Sequence, residues 1–140
     1  MSEIGEWIEQ LEGLEEAIDR LIDIAKEKRD VVVKGNVSRL ETLVREETGL
    51  LKRMSLLEDQ RQRSTVMFAL RTGLNPKTAT LSTLLEVLPQ DDTKERLSRL
   101  RNELRGKMEE LSRLNGINEE LLITQRDLAH FMLEGATRPT

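Results

Sequence analysis

The sequence predicts an all-α protein: an elongated antiparallel helical bundle, or coiled coil, of three long helices with one short connecting helix. Three observations predict it. Of the 140 residues, 34% are charged and 2% aromatic, a balance that suits long amphipathic helices and starves sheet folds of their usual side chains. Apolar residues recur at alternating steps of three and four over several heptads. Turn chemistry gathers in two places, at Gly35-Asn36 and across residues 73–93.

The first long helix runs from about Glu3 to Lys34. Its seam is Ile4, Trp7, Leu11, Leu14, Ile18, Leu21, Ala25 and Val32, with Lys28 the one exception and Ile8 and Ile22 widening the stripe. Packing in the core is the favoured role of Trp7. Gly35 tolerates the left-handed geometry common at helix C-termini, and Asn36 is a good N-cap. So short a break turns the second helix back antiparallel on the first.

The second helix runs from about Val37 to Thr72. Its seam reads Leu40, Leu43, Glu47, Leu50, Met54, Leu57, Arg61, Ser64 and Phe68, and Val37, Val44 and Leu51 form a flanking row that suits a second neighbour. Beyond Leu57 the seam turns polar and the apolar content moves to Val66, Met67, Phe68 and Leu70, which predicts a weaker or differently packed end. Gly73 stops the helix. Pro76 and Pro89 then bracket a short helix carrying Leu81, Leu84, Leu85 and Leu88, capped by Thr78 or Thr80 and folded over the bundle end.

Asp91 or Asp92 caps the third long helix, from about Thr93 to Glu134. Its seam is Leu97, Leu100, Leu104, Lys107, Leu111, Leu114, Asn118, Leu121, Gln125, Leu128 and Met132, with Met108 and Leu122 beside it. The rhythm falters at Gly106-Lys107 and near Gly116 and Asn118, each glycine costing about 0.5–1 kcal/mol relative to alanine. One helical domain over residues 1–134 and a frayed tail over 135–140 are expected.

Charge narrows the partners. Residues 1–34 hold ten acids and five bases, whereas residues 35–72 hold seven bases and five acids, which favours antiparallel packing of the two. No segment is basic enough to track phosphates, so nucleic acid is not an expected partner. The first ten residues lack the basic and apolar regions of a signal peptide, and no apolar run approaches the roughly 20 residues that span a bilayer. The expected location is the cytoplasm.

Catalytic chemistry is scarce. Cysteine is absent and His130 is the only histidine, three residues after Asp127 on one helix face. A di-metal carboxylate bundle needs two Glu-x-x-His pairs and two further carboxylates, so no metal is expected. No histidine or cysteine partners the serines and threonines, and no glycine-rich phosphate loop exists. The acid pairs Glu15–Glu16, Glu46–Glu47, Glu109–Glu110 and Glu119–Glu120 read as solvated helix faces. No enzyme activity and no cofactor are expected.

The end of the third helix is more informative. Asn118 and Gln125 occupy seam positions one heptad apart, where leucine would stabilise more. Such residues either fix register or mark a stretch that meets a partner. Leu121, Leu128 and Met132 continue the seam, while Leu122, Ile123, Ala129, Phe131 and Leu133 spread beyond it. A helix too apolar for one seam is a candidate groove or partner helix. Packing on the Leu81–Leu88 helix and the end of the second helix is the alternative use of this stretch, and the two are not exclusive.

The chain resembles the FlgN-type flagellar export chaperones. The matching pieces are Lys34-Gly35-Asn36-Val37 with Leu40 and Leu43, the stretch from Glu46-Glu47 to Leu50-Leu51, and Gln60-Arg61 ahead of Gly73. TLSTLLEVLP and the run from Leu114 through Asn115 and Asn118 to Leu121-Leu122 complete it. The resemblance implies a non-enzymatic cytoplasmic chaperone of flagellar type III export. Such a protein binds the disordered helical termini of hook-associated proteins of the hook–filament junction and engages the export apparatus. It also implies client binding on Asn118, Leu121, Leu122, Ile123, Gln125, Leu128, Ala129, Phe131, Met132 and Leu133. The competing expectation is a structural coiled-coil adaptor or scaffold, self-associating through the same seams, with no flagellar role.

Overall fold

A computed structural model of the chain describes residues 3–115. It holds four helices, α1 (Glu3–Val33), α2 (Val37–Thr72), α3 (Leu81–Glu86) and α4 (Asp92–Asn115), and no strand occurs among the described residues. The chain is all-α, as its heptads predict. The expected third helix is described as far as Asn115, and its expected continuation to residue 134 lies outside the described residues, as does the 135–140 tail.

The elements start and stop where the capping chemistry places them. Gly35 takes φ 69°, and Asn36 Oδ1 accepts the Arg39 amide at 3.2 Å. Gly73 takes φ 78° and donates its N–H to the Ala69 carbonyl. Thr80, not Thr78, caps α3, in a reciprocal box with Thr83. Asp91 caps α4 by accepting the Thr93 and Lys94 amides at 3.0 and 3.2 Å.

Between the two glycines the chain reverses. Trp7 stacks on Phe68 with ring centroids 5.6 Å apart, Arg20 pairs with Glu46, and Glu27 pairs with Arg39, so α1 and α2 run antiparallel. Helix α4 runs parallel to α1: Glu12 pairs with Arg96 at 2.6 Å, Lys26 with Glu110 at 3.3 Å, and Arg29 donates to the Leu114 carbonyl at 3.4 Å. Helix α1 is therefore central, with α2 on one side and α4 on the other. Leu11, Leu14, Ile18 and Leu21 are fully buried there, as their heptad positions predict. They share one core with Met54, Leu81, Leu84, Leu97, Leu104 and Leu111. Helix α3 packs on α4, with Arg101 donating to Ser82 at 2.9 Å, rather than only closing the bundle end.

Three sequence expectations are corrected. Val31 is 7% exposed and Val32 60%, so the seam of α1 ends on Val31. Toward its C-terminal end the buried apolar row of α1 passes to Ile24 and Val31, which face Leu43 of α2, with the half-buried Lys28 between them. Lys28 is no exception on that row, because it reaches the buried Glu47 at 2.9 Å. On α2 the flanking Val37 and Val44 are exposed and only Leu51 is buried. The α2 row then slips by one residue, burying Glu58 and Thr65 where Leu57 and Ser64 were expected, while Leu57 and Ser64 are half-buried. A straight α-helix drifts about 20° per heptad against a 3.5-residue repeat, which is the sense of this slip.

The third correction concerns charge. Glu15 and Asp19 hold Lys107, Glu46 holds Arg20, Glu47 holds Lys28 and Glu110 holds Lys26, so these acids are interhelical partners rather than solvated faces. The acids of α1 find most of their partners on α4, not on the net-basic α2. Among the paired carboxyls, hydrogen bonds from Arg20 and Arg39 hold Glu46 and Glu27 below the ordinary glutamate range. Burial, with the neighbouring Glu103, lifts Glu15 above it despite Lys107.

The signs are opposite. Glu27 and Glu46 stabilise the fold above the ordinary glutamate range, and this is lost as pH falls through their depressed folded values. Glu15 favours the fold as it takes up its proton. The double variant Arg20→Gln/Arg39→Gln is therefore expected to melt below the wild type at neutral pH and to match it once pH lies under the glutamate range. Melting curves over that window check it. A constant gap would show that the pairs do not titrate with folding.

Candidate functional site

The described bundle ends at the Gly35-Asn36 turn, and there its apolar surface is open. Val32, Val33 and Val37 are exposed on either side of the turn. A cleft of about 490 Å³ beside them is lined by Ala25, Lys28, Arg29, Val32, Val33 and Leu114. Leu114 brings the last described turn of α4 to its edge, and Arg29 holds that turn by its carbonyl. Beneath the cleft the Lys28–Glu47 pair ties α1 to α2.

The α1–α4 register is measured at both ends of their contact. Glu12 and Arg96 are 84 residues apart, and Arg29 and Leu114 are 85 apart. At that offset Arg29, one turn before α1 ends at Val33, meets the last described turn of α4.

All ten sequence-predicted client residues lie outside the described residues: Asn118, Leu121, Leu122, Ile123, Gln125, Leu128, Ala129, Phe131, Met132 and Leu133. Asp127 and His130 lie outside them as well, as do Glu119 and Glu120. Among the described residues no group of three or more His, Cys, Asp or Glu could hold a metal ion. No described helix is long and apolar enough to cross a membrane.

The sequence reading did not single out the open valine tip or the Lys28–Glu47 tie. Both polar residues were visible as breaks in their own seams. What was lacking was the hairpin register, in which Lys28 and Glu47 stand three heptads along from the stacked Trp7 and Phe68.

The sequence model of one family, described as FlgN protein, matches residues 1–138, so the match runs through the fold and the stretch that follows α4. The chain belongs to the FlgN family. No curated protein and no solved structure gives a match. FlgN membership carries a role as a flagellar export chaperone in general, with flagellar substrate proteins as its partners. It is a family of chaperones rather than of enzymes. The described part of the FlgN fold is centred on α1, with α2 and α4 packed on it and α3 on α4, and the last described turn of α4 lies at an open apolar tip.

Proposed function

We propose that this chain is a cytoplasmic type III export chaperone for hook-associated proteins of the hook–filament junction. It holds their disordered helical termini on residues 118–133, prevents their premature assembly and passes them to the export apparatus. The observation that carries the reading is the family match, which runs through residues 118–133. The last described turn of α4, at Leu114, lies at the open valine tip, and the leucine-rich residues follow it in the sequence. Their apolar residues exceed what one heptad seam uses, and a client helix supplies a partner for the rest.

Ordering a disordered client costs free energy, so binding is moderate and reversible, which suits a protein that must release its cargo. No cofactor enters the scheme. The family match weighs against the coiled-coil scaffold without a flagellar role.

Replacing Phe131 and Leu133 together with aspartate is expected to abolish capture of a junction-protein C-terminal fragment while leaving helicity and melting close to wild type. Circular dichroism beside a pull-down checks both. Retention of the fragment at wild-type strength would place the binding face elsewhere. Loss of helicity would make this stretch part of the chain's own core.

A further inference from the structure

The side of the α1–α2 hairpin that carries its interhelical ion pairs is closed over half its length and open over the other half. Two of those pairs, Glu27–Arg39 and Arg20–Glu46, bridge the helices seven residues apart on each. One heptad further the same positions hold Gly13 and Arg53, and a heptad beyond that Glu6 and Gln60. The ladder stops there. Gly13 has no side chain to contribute, and a Cβ on it would meet Leu57 at 3.3 Å.

Where the ladder stops, two clefts of about 450 and 240 Å³ share Glu6, Arg63 and Ser64 as lining and so form one groove. Its floor is the stacked Trp7 and Phe68 with Leu57 and Ser64, and the exposed Met67 forms its lip. The α1 wall carries Glu6 and Glu9, and the α2 wall carries Arg63. None of these three has an ion-pair partner among the described residues.

We infer that this groove seats one amphipathic helix of a partner protein, with basic residues on the flank facing Glu6 and Glu9 and an acidic residue on the flank facing Arg63. Three points fix the occupant. The lining residues of α2 run from Leu57 to Phe68, about 17 Å, which is three turns of one helix. A stable dimer buries about 800 Å² on each protomer, more than this short seat offers to a second copy. The walls carry opposite unpaired charges, so a helix with two like-charged flanks meets repulsion on one side. The seat lies at the opposite end of the bundle from the valine tip, so client capture there and helix binding here are independent.

The sole tryptophan forms part of the floor, which makes occupancy directly visible. Three tryptophan-free peptides with one leucine stripe serve as probes: one flanked by Glu on one side and Lys on the other, one by Glu on both, one by Lys on both. Titrated into the full chain, the mixed peptide is expected to shift Trp7 emission saturably and to bind about tenfold more tightly than either other. Ser64→Arg, which fills the floor, or Met67→Glu on the exposed lip, is expected to remove the shift with circular dichroism unchanged. Glu6→Lys/Glu9→Lys makes both walls basic and is expected to turn the preference to the peptide with Glu on both flanks.

Equal affinity for all three peptides, no response to any of them, or a preference unmoved by the double charge reversal would overturn the assignment. So would a dimer in sedimentation that Ser64→Arg dissolves, since a second copy would then be the occupant.

Discussion

Leu14→Ala is expected to destabilise the chain by about 2–5 kcal/mol, with Leu111→Ala in the same range. Both side chains are fully buried in the core shared by α1, α2, α3 and α4. The loss combines the transfer free energy of the deleted methyl groups with the cavity they leave. The bundle has no second layer to close such a cavity, because α1 already touches α2 on one side and α4 on the other. Urea unfolding followed by circular dichroism gives the value. An unchanged midpoint for Leu14→Ala would mean that the central seam is not the core.

Arg61→Ala is expected to cost about 3–5 kcal/mol, an effect that hydrophobic patterning alone would not anticipate. Arg61 and Glu58 are 4% and 3% exposed and are joined by two hydrogen bonds, one of them from Arg61 Nε to Glu58 Oε1 at 2.8 Å. Removing the guanidinium strands a carboxylate in the interior. Gln62, which donates to Glu58 Oε2 at 3.0 Å, supplies only a neutral partner. The paired replacement Glu58→Leu/Arg61→Met removes both charges and is expected to be neutral or stabilising, up to about 4 kcal/mol. If the double variant is as unstable as Arg61→Ala, the pair contributes net stability and the desolvation argument fails.

Local rules made most of this fold legible before the structure. The heptad steps of α1 named its buried leucines, and Gly35-Asn36 and Gly73 named the breaks, because capping chemistry acts within a turn and needs no knowledge of neighbours. The misreadings come from contacts between helices. Val31 displaced Val32 because the end of α1 leans on Leu43 of α2. Glu58 and Thr65 displaced Leu57 and Ser64 because a helix of 36 residues accumulates the mismatch between its own turn and a seven-residue repeat. Glu15, Glu46, Glu47 and Glu110 read as solvated faces because their cationic partners stand 19 to 92 residues away in the chain, whereas Glu16 and Glu109 are exposed as expected.

The proposed client stretch, residues 118–133, is read from composition: its apolar residues exceed one seam. The groove at the other end was hidden. It depends on which heptad positions lack an ion pair once α1 and α2 are set side by side.

Hydrogen exchange of the full chain, with and without a hook-junction C-terminal fragment, decides whether residues 118–133 hold the client. The fragment is expected to add protection to the amides of residues 118–133, with a smaller effect at the Val32–Val37 tip. The amides of Leu11 to Leu21, already in the core, are expected to stay unchanged. Protection confined to the α1–α2 groove around Trp7 and Phe68, with none in residues 118–133, would contradict it.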